Sequence, residues 1–254
     1  MSYLIYTIAG LGAGIVTGLA GLSAASVISP ILITLLNFDP FMAIGISLSS
    51  DVLASALSAA TYAKNKHIDV KGGLWLLLPA MVLTVVGCFL GYSISSTALG
   101  MVSCVFPVFL GAKFLVAKDT KPFPFVERAS LWTRRILSIL SGAVVGTICG
   151  FSGAGGGMMM LFLLTSLLSY ELKTAVGTSV FIMTFLALVG AVTHFSMIGS
   201  INWPAMIVCA LSALVGAFCA ALFANKAKPK VLNRVIGACL LLLGVFLTLF
   251  KFVL

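Results

Sequence analysis

Charge is what this sequence has least of. Only 8% of its 254 residues are Asp, Glu, Lys or Arg, and mean hydropathy is +1.22. A soluble domain carries roughly 25% charged residues, so a water-soluble globular chain is excluded. Cysteine is present but lacks the patterns that give it chemistry. The six, Cys88, Cys104, Cys149, Cys209, Cys219 and Cys239, all lie in apolar stretches and form no CxxC pair. That excludes a disulfide framework or a zinc site and leaves packing as small hydrophobes. The N-terminus has no basic region and its first apolar run is too long, so no cleavable signal peptide is read there.

What the chain has instead is long apolar runs. Apolar stretches at 41–63, 73–95, 98–117, 174–198, 203–224 and 231–253, several of them free of charge, reach the roughly 20 residues that cross a bilayer. Two longer runs, 3–36 and 136–168, are rich in glycine. The net charge of +9 does not point to nucleic acid, because the basic residues sit in short segments between spans. These are Lys64, Lys66 and Lys71; Lys113, Lys118, Lys121, Arg128, Arg134 and Arg135; Lys173; and Lys226, Lys228, Lys230 and Arg234. Such loops stay cytoplasmic. If each long run enters and leaves on one face as a re-entrant or broken hairpin, 14 of the 15 Lys and Arg are cytoplasmic and only Lys251 is outside. If each is a single crossing, Lys173 and the 225–234 cluster move outside. The charge bias favours hairpins, with both termini extracytoplasmic. Two full but short crossings would give the same sidedness.

The glycines form two matched ladders. Gly10, Gly14, Gly18 and Gly21 each lie 132 residues before Gly142, Gly146, Gly150 and Gly153, and the register continues from Ala43, Gly45 and Ser47 to Ala175, Gly177 and Ser179. The chain therefore reads as all-α and polytopic, built from two tandem repeats at 1–117 and 136–254, joined by a basic cytoplasmic linker at 118–135. A hairpin plus three crossings is an odd number, so the repeats are expected to be inverted, with their discontinuous helices meeting near the midplane. Ladders of small residues let helices pack closely. The run Gly153, Gly155, Gly156, Gly157 is different. Glycine costs about 1 kcal/mol per residue against alanine in a helix, and freed N–H groups at a helix start attract anions.

The segment 142–157, GAVVGTICGFSGAGGG, resembles the sulfite exporter TauE/SafE family of membrane permeases. So do AVGTS at Ala175–Ser179, its partner AIGIS at Ala43–Ser47, and the HID and SIN turns at His67–Asp69 and Ser200–Asn202. The resemblance spans essentially the whole chain. It implies a permease of the cell (inner) membrane for a small anion such as sulfite, an organosulfonate or a related acid, working by alternating access with no cofactor. In the first repeat Ser23, Ala24 and Ala25 stand where Gly155, Gly156 and Gly157 stand in the second, and Pro30 is retained. The substrate-lining candidates are Gly21, Ser23, Ser26, Ser47, Gly153, Gly155, Gly156, Gly157 and Ser179. The expected partners are the anion and membrane lipid, with a second copy of the chain allowed.

Two ionisable groups lie within spans. A carboxylate at the bilayer centre costs at least about 2.5 kcal/mol, which makes Asp51 a candidate proton carrier. Its repeat mate is Met183 (51 + 132), so such a role is asymmetric. His194 is a second candidate for proton coupling. Trp75, Trp132 and Trp203 sit at span starts and read as interface anchors, and Lys113 as a snorkelling side chain. Two other functions fit parts of the pattern. An anion channel would share the pore-lining residues, and Gly150-Phe-Ser152-Gly153 with His194 matches the short signature of an intramembrane serine peptidase. In the first repeat the glycines around Ser152 are kept while Ser152 itself becomes Ala20, so the backbone pattern is duplicated and the nucleophile is not.

Overall fold

A computed structural model describes residues 2–93, 112, 131–153 and 155–253. The expected span 98–117, with Cys104, Lys113, Lys118, Lys121 and Arg128, lies outside the described residues. The described elements are helices: α1 (Ser2–Ala20), α2 (Ala25–Leu36), α3 (Pro40–Lys64), α4 (Val70–Ser93), α5 (Leu131–Ser152), α6 (Gly155–Phe162), a π turn (Leu163–Leu167), α7 (Leu172–Ile198), α8 (Trp203–Lys226) and α9 (Pro229–Val253). Six are long and apolar enough to cross a membrane: α1, α3, α4, α5, α7 and α8. The last stretch read from the sequence as a span, 231–253, coincides with α9. Because α5 starts at Leu131, Arg134 and Arg135 belong to a helix and not to the basic linker in which the sequence reading put them.

Local chemistry sets the helix ends. Asp39 caps α3, its Oδ1 accepting from the Phe41 and Met42 amides at 3.0 Å each, with Pro40 in the first turn where no amide is needed. Asn202 caps α8 in the same way, accepting from Ala205 N at 3.2 Å. The ends that matter for function are the two interruptions. Gly21 (φ 66°) and Gly153 (φ 64°) both take a left-handed conformation that a side chain would strain. Each closes the helix before it, Gly21 N donating to Thr17 O at 2.8 Å and Gly153 N to Cys149 O at 2.7 Å.

Both glycine-rich runs double back. From Tyr6 to Ala20 is about 21 Å of helix, and the twelve residues of α2 return about 18 Å. Phe38, just past α2, accordingly lies edge-on against Tyr6 with ring centroids 6.3 Å apart. In the second run Leu168, Ser169 and Tyr170 come back to line one cavity with Arg134, Arg135 and Ser138 near the start of α5. The first arm of each hairpin is long enough to span on its own, while the returning arm is short.

The hairpins open at opposite ends of the bundle. The first opens beside Asp39, where α3 begins. The second opens where α3 has ended, because the Tyr170 hydroxyl donates to Asp69 Oδ2 at 2.7 Å. Between these mouths α3 and α7 run antiparallel with reciprocal contacts. Gly45 faces His194 and Phe195, and Gly177 faces Tyr62 and His67. The ladders serve as packing seams, as their spacing predicts. Gly10, Gly14 and Gly18 of α1 lie against α8, and Gly142, Gly146 and Gly150 of α5 lie against α4. A methyl group at Gly14 would overlap the carbonyl oxygen of Ala213, and one at Gly146 that of Ala80, so backbone touches backbone along both seams.

Candidate functional site

The two hairpin tips meet inside the protein. Gly157, at the start of α6, is so close to the first tip that a Cβ there would overlap the Ser23 amide nitrogen and come within 2.8 Å of Leu22 Cα and C. Gly153 lies against Ile44 of α3 and Ala25 of α2, and Gly21 against Val176 and Ser179 of α7. These two contacts share the 132-residue offset, since 176 − 132 = 44 and 153 − 132 = 21. Each tip is therefore held by the long helix that follows the other.

The first tip is held by hydroxyl groups. The Ser23 hydroxyl accepts from Ala25 N at 3.2 Å, Ser26 Oγ donates to Ser23 O at 2.7 Å, and Ser29 Oγ donates to Ala25 O at 2.6 Å. Ser179 Oγ crosses from α7 to donate to Gly21 O at 2.6 Å, and the Tyr62 hydroxyl crosses from α3 to Gly18 O at 3.0 Å. The Tyr62 bond takes up a carbonyl that the end of α1 leaves without a helical partner, and the Ser179 bond one at the tip just beyond it. All of these side chains are buried.

Asp51 sits at this junction. It is fully buried on α3, and its Oδ1 accepts from Ser55 Oγ at 2.8 Å. Its nearest electrostatic neighbours are the Ser23 hydroxyl and Ala24 amide of the first tip and Cys149, the residue at the end of α5 that Gly156 covers. Oδ2 has no hydrogen bond of normal geometry, but the Ser23 hydroxyl and the Ala24 amide lie close enough to stabilise the carboxylate. A buried carboxylate is costly, and this one lies beside both helix interruptions, near Ser23 and Ala24 of one and Cys149 before the other.

Of the residues singled out from sequence, Gly21, Ser23, Ser26, Gly153, Gly156, Gly157, Ser179 and Asp51 converge on the junction, and Gly155 opens α6 beside it. Ser47 is buried but its hydroxyl is engaged by Ala43 O within its own helix. His194 lies elsewhere. Its ring stacks on Phe41 at 4.1 Å, and Phe41 is ten residues, about 15 Å along α3, from Asp51. Its Nδ1 is 3.0 Å from Gly190 O and its Nε2 has no partner. Ser152 Oγ donates to Ile148 O at 3.0 Å within α5. The two members of the supposed peptidase dyad are thus each engaged within their own helices. Among the described residues no cluster of His, Cys, Asp and Glu is arranged to hold a metal ion.

Sequence reading missed Tyr62, Ser55 and Cys149. A signal existed for the first two. Tyr62 is the residue 132 before His194, and Ser55 is one helical turn after Asp51. Cys149 had no comparable signal, because its role follows from where α5 ends.

The profile of one family, described as Sulfite exporter TauE/SafE, matches residues 6–247. The chain belongs to the sulfite exporter TauE/SafE family. It is similar to the probable membrane transporter protein YunE of Bacillus subtilis (strain 168), 25% identical over 264 residues and covering 96% of each chain. It is 22% identical to the probable membrane transporter protein YjnA of the same organism, covering 92% of this chain and 95% of the relative. It is 24% identical to the probable membrane transporter protein MJ0441 of Methanocaldococcus jannaschii, covering 95% and 94%. Each of these alignments covers more than nine-tenths of the TauE/SafE chain.

Proposed function

We propose that this TauE/SafE protein is a secondary transporter of a small anion, of the sulfite or sulfonate class, that binds where the two hairpin tips meet. The observation that carries the reading is the contact of Gly157 with Ser23 beside the fully buried carboxylate of Asp51. Irregular backbone at membrane depth is tolerated where it is buried in protein or lines a cavity. The two interruptions begin α2 and α6, whose starting amides can face an anion once the tips separate.

Hairpins that open at opposite ends of the bundle suit alternating access, in which each tip in turn screens the site from one side. The reciprocal contacts of Gly45 and Gly177, and of Gly21 and Gly153, support two halves of opposite orientation. The basic residues after α3, at the start of α5 and after α8 support placing those ends in the cytoplasm and the N-terminus outside. Asp51 then carries a compensating proton. An anion moving into a negative cell interior works against about 2.3 kcal/mol per charge per 100 mV, and a neutral Asp51 also removes repulsion from the anion.

The test is counterflow of radiolabelled sulfite in proteoliposomes holding the purified chain. A carrier gives saturable, trans-stimulated uptake, and the same assay with organosulfonates sets the substrate range. Linear uptake without trans-stimulation identifies a channel.

A further inference from the structure

A cavity of about 410 Å³ lies at the mouth of the second hairpin, far along α3 from the first. Its volume is in the range of small-ligand clefts, roughly 300–1,000 Å³. Among the described residues, Lys71, Arg134 and Arg135 line it beside one carboxylate, Asp69. Both oxygens of that carboxylate are already engaged. Oδ1 accepts from Gly72 N at 3.0 Å, capping α4, and Oδ2 from the Tyr170 hydroxyl at 2.7 Å. Burial, with the Asp69 charge beside it, pushes the Tyr170 phenol above its ordinary range, so it stays protonated and donating. Among the described lining residues, the cations Lys71 and Arg135 therefore exceed the one carboxylate.

Two further features make the cavity more than a charged surface. The Arg135 guanidinium lies over the rings of Trp75 at 5.2 Å and Trp132 at 5.5 Å, contacts that favour this placement of the cation. Ser169 stands in the wall in a left-handed conformation (φ 61°), and its hydroxyl is buried with no hydrogen-bond partner. Such a group calls for a missing acceptor. Trp75 and Trp132 are exposed near the starts of α4 and α5, and indoles at helix ends suit a membrane interface.

We propose that this cavity binds a phosphate group at the membrane surface, carried by an anionic phospholipid or free in solution. Arg135 and Lys71 meet the phosphate oxygens in charge-assisted hydrogen bonds, and the Ser169 hydroxyl donates to a third. Basic pockets between transmembrane helices at the cytoplasmic side are suited to such headgroups. This site is separate from the tip junction and does not rest on the transport reading.

The test uses the full chain in non-ionic detergent, followed by thermal unfolding with three probes: dioctanoyl-phosphatidylglycerol, dioctanoyl-phosphatidylcholine and inorganic phosphate. Saturable stabilisation by the glycerol lipid and not the choline lipid is expected. Its apparent affinity should fall at least 10-fold in Lys71→Gln/Arg135→Gln and stay unchanged in Lys226→Gln, whose cation lies outside the cavity. Saturation by inorganic phosphate as well, lost in the same variant, assigns the site to a soluble anion; a response to the lipid alone assigns it to a headgroup. If the double variant does not fold, Lys71→Gln alone, an exposed substitution, should still weaken binding about 3-fold. No saturable response to either net-anionic probe, an equal response to the choline lipid, or undiminished binding in the variants overturns the proposal.

Discussion

Adding one methyl group at Gly157 tests the contact between the two tips. In Gly157→Ala the new carbon would overlap Ser23 N and crowd Leu22, all backbone atoms that no rotamer change can move. Overpacking of this kind costs about 1–3 kcal/mol. Alanine in place of glycine in a helix is worth up to about 1 kcal/mol in the opposite sense. The control is Gly12→Ala, also helical, whose new methyl would meet only Val27 Cγ1 at an ordinary 3.7 Å. The control is expected to be neutral or stabilised, and the difference between the two variants to be about 1–3 kcal/mol. If the transport cycle includes a state with the tips apart, that energy falls on the apposed state alone and shifts the balance about 5- to 150-fold toward separation. The assay is the rate at which an aqueous thiol reagent labels Ser23→Cys, introduced into an otherwise cysteine-free chain, with and without Gly157→Ala. Faster labelling, with Gly12→Ala unchanged, is the expected result. Equal labelling rates and equal thermal midpoints for both variants would refute the reasoning that the tips are in tight contact.

Two further predictions follow from the same geometry. Asp51→Asn keeps the size of the side chain and removes its charge, so anion binding should persist while flux loses its dependence on an imposed pH gradient; proteoliposome uptake at matched and unmatched pH measures this, and an unaltered pH dependence makes Asp51 structural. Opposite hairpin mouths require that Tyr3→Cys and Lys66→Cys react with an impermeant thiol reagent from opposite faces of intact cells, and labelling of both from one face contradicts the inverted arrangement.

The membrane class and the packing seams were legible because they depend on composition and spacing alone. A ladder such as Gly10, Gly14, Gly18 announces a close helix contact wherever its partner lies. It does not name the partner. That α1 packs on α8, some 200 residues away, follows from how the chain closes on itself. The second interruption was legible from the glycine run that starts at Gly153, whereas the first, at Gly21, was marked only by its 132-residue register with it. Asp51 was recognisable as an ionisable group at depth, but its neighbours were not. Its meeting with Ser23 and Ala24 depends on α1 being long enough to carry the first tip to the level of the second turn of α3 and beyond. His194 was grouped with Asp51 because both are ionisable, and chemistry alone gives no distance. The cavity near Arg135 escaped notice because it joins Asp69, Arg134 and Tyr170, residues from three separate parts of the chain.

Protection of the tip junction by the transported anion tests the central claim most directly. Ser23→Cys in the cysteine-free chain would be labelled in proteoliposomes across a titration of sulfite. The account predicts that labelling slows with the same half-saturating concentration that describes sulfite counterflow. A labelling rate that stays constant while counterflow saturates would place the anion elsewhere and contradict the account.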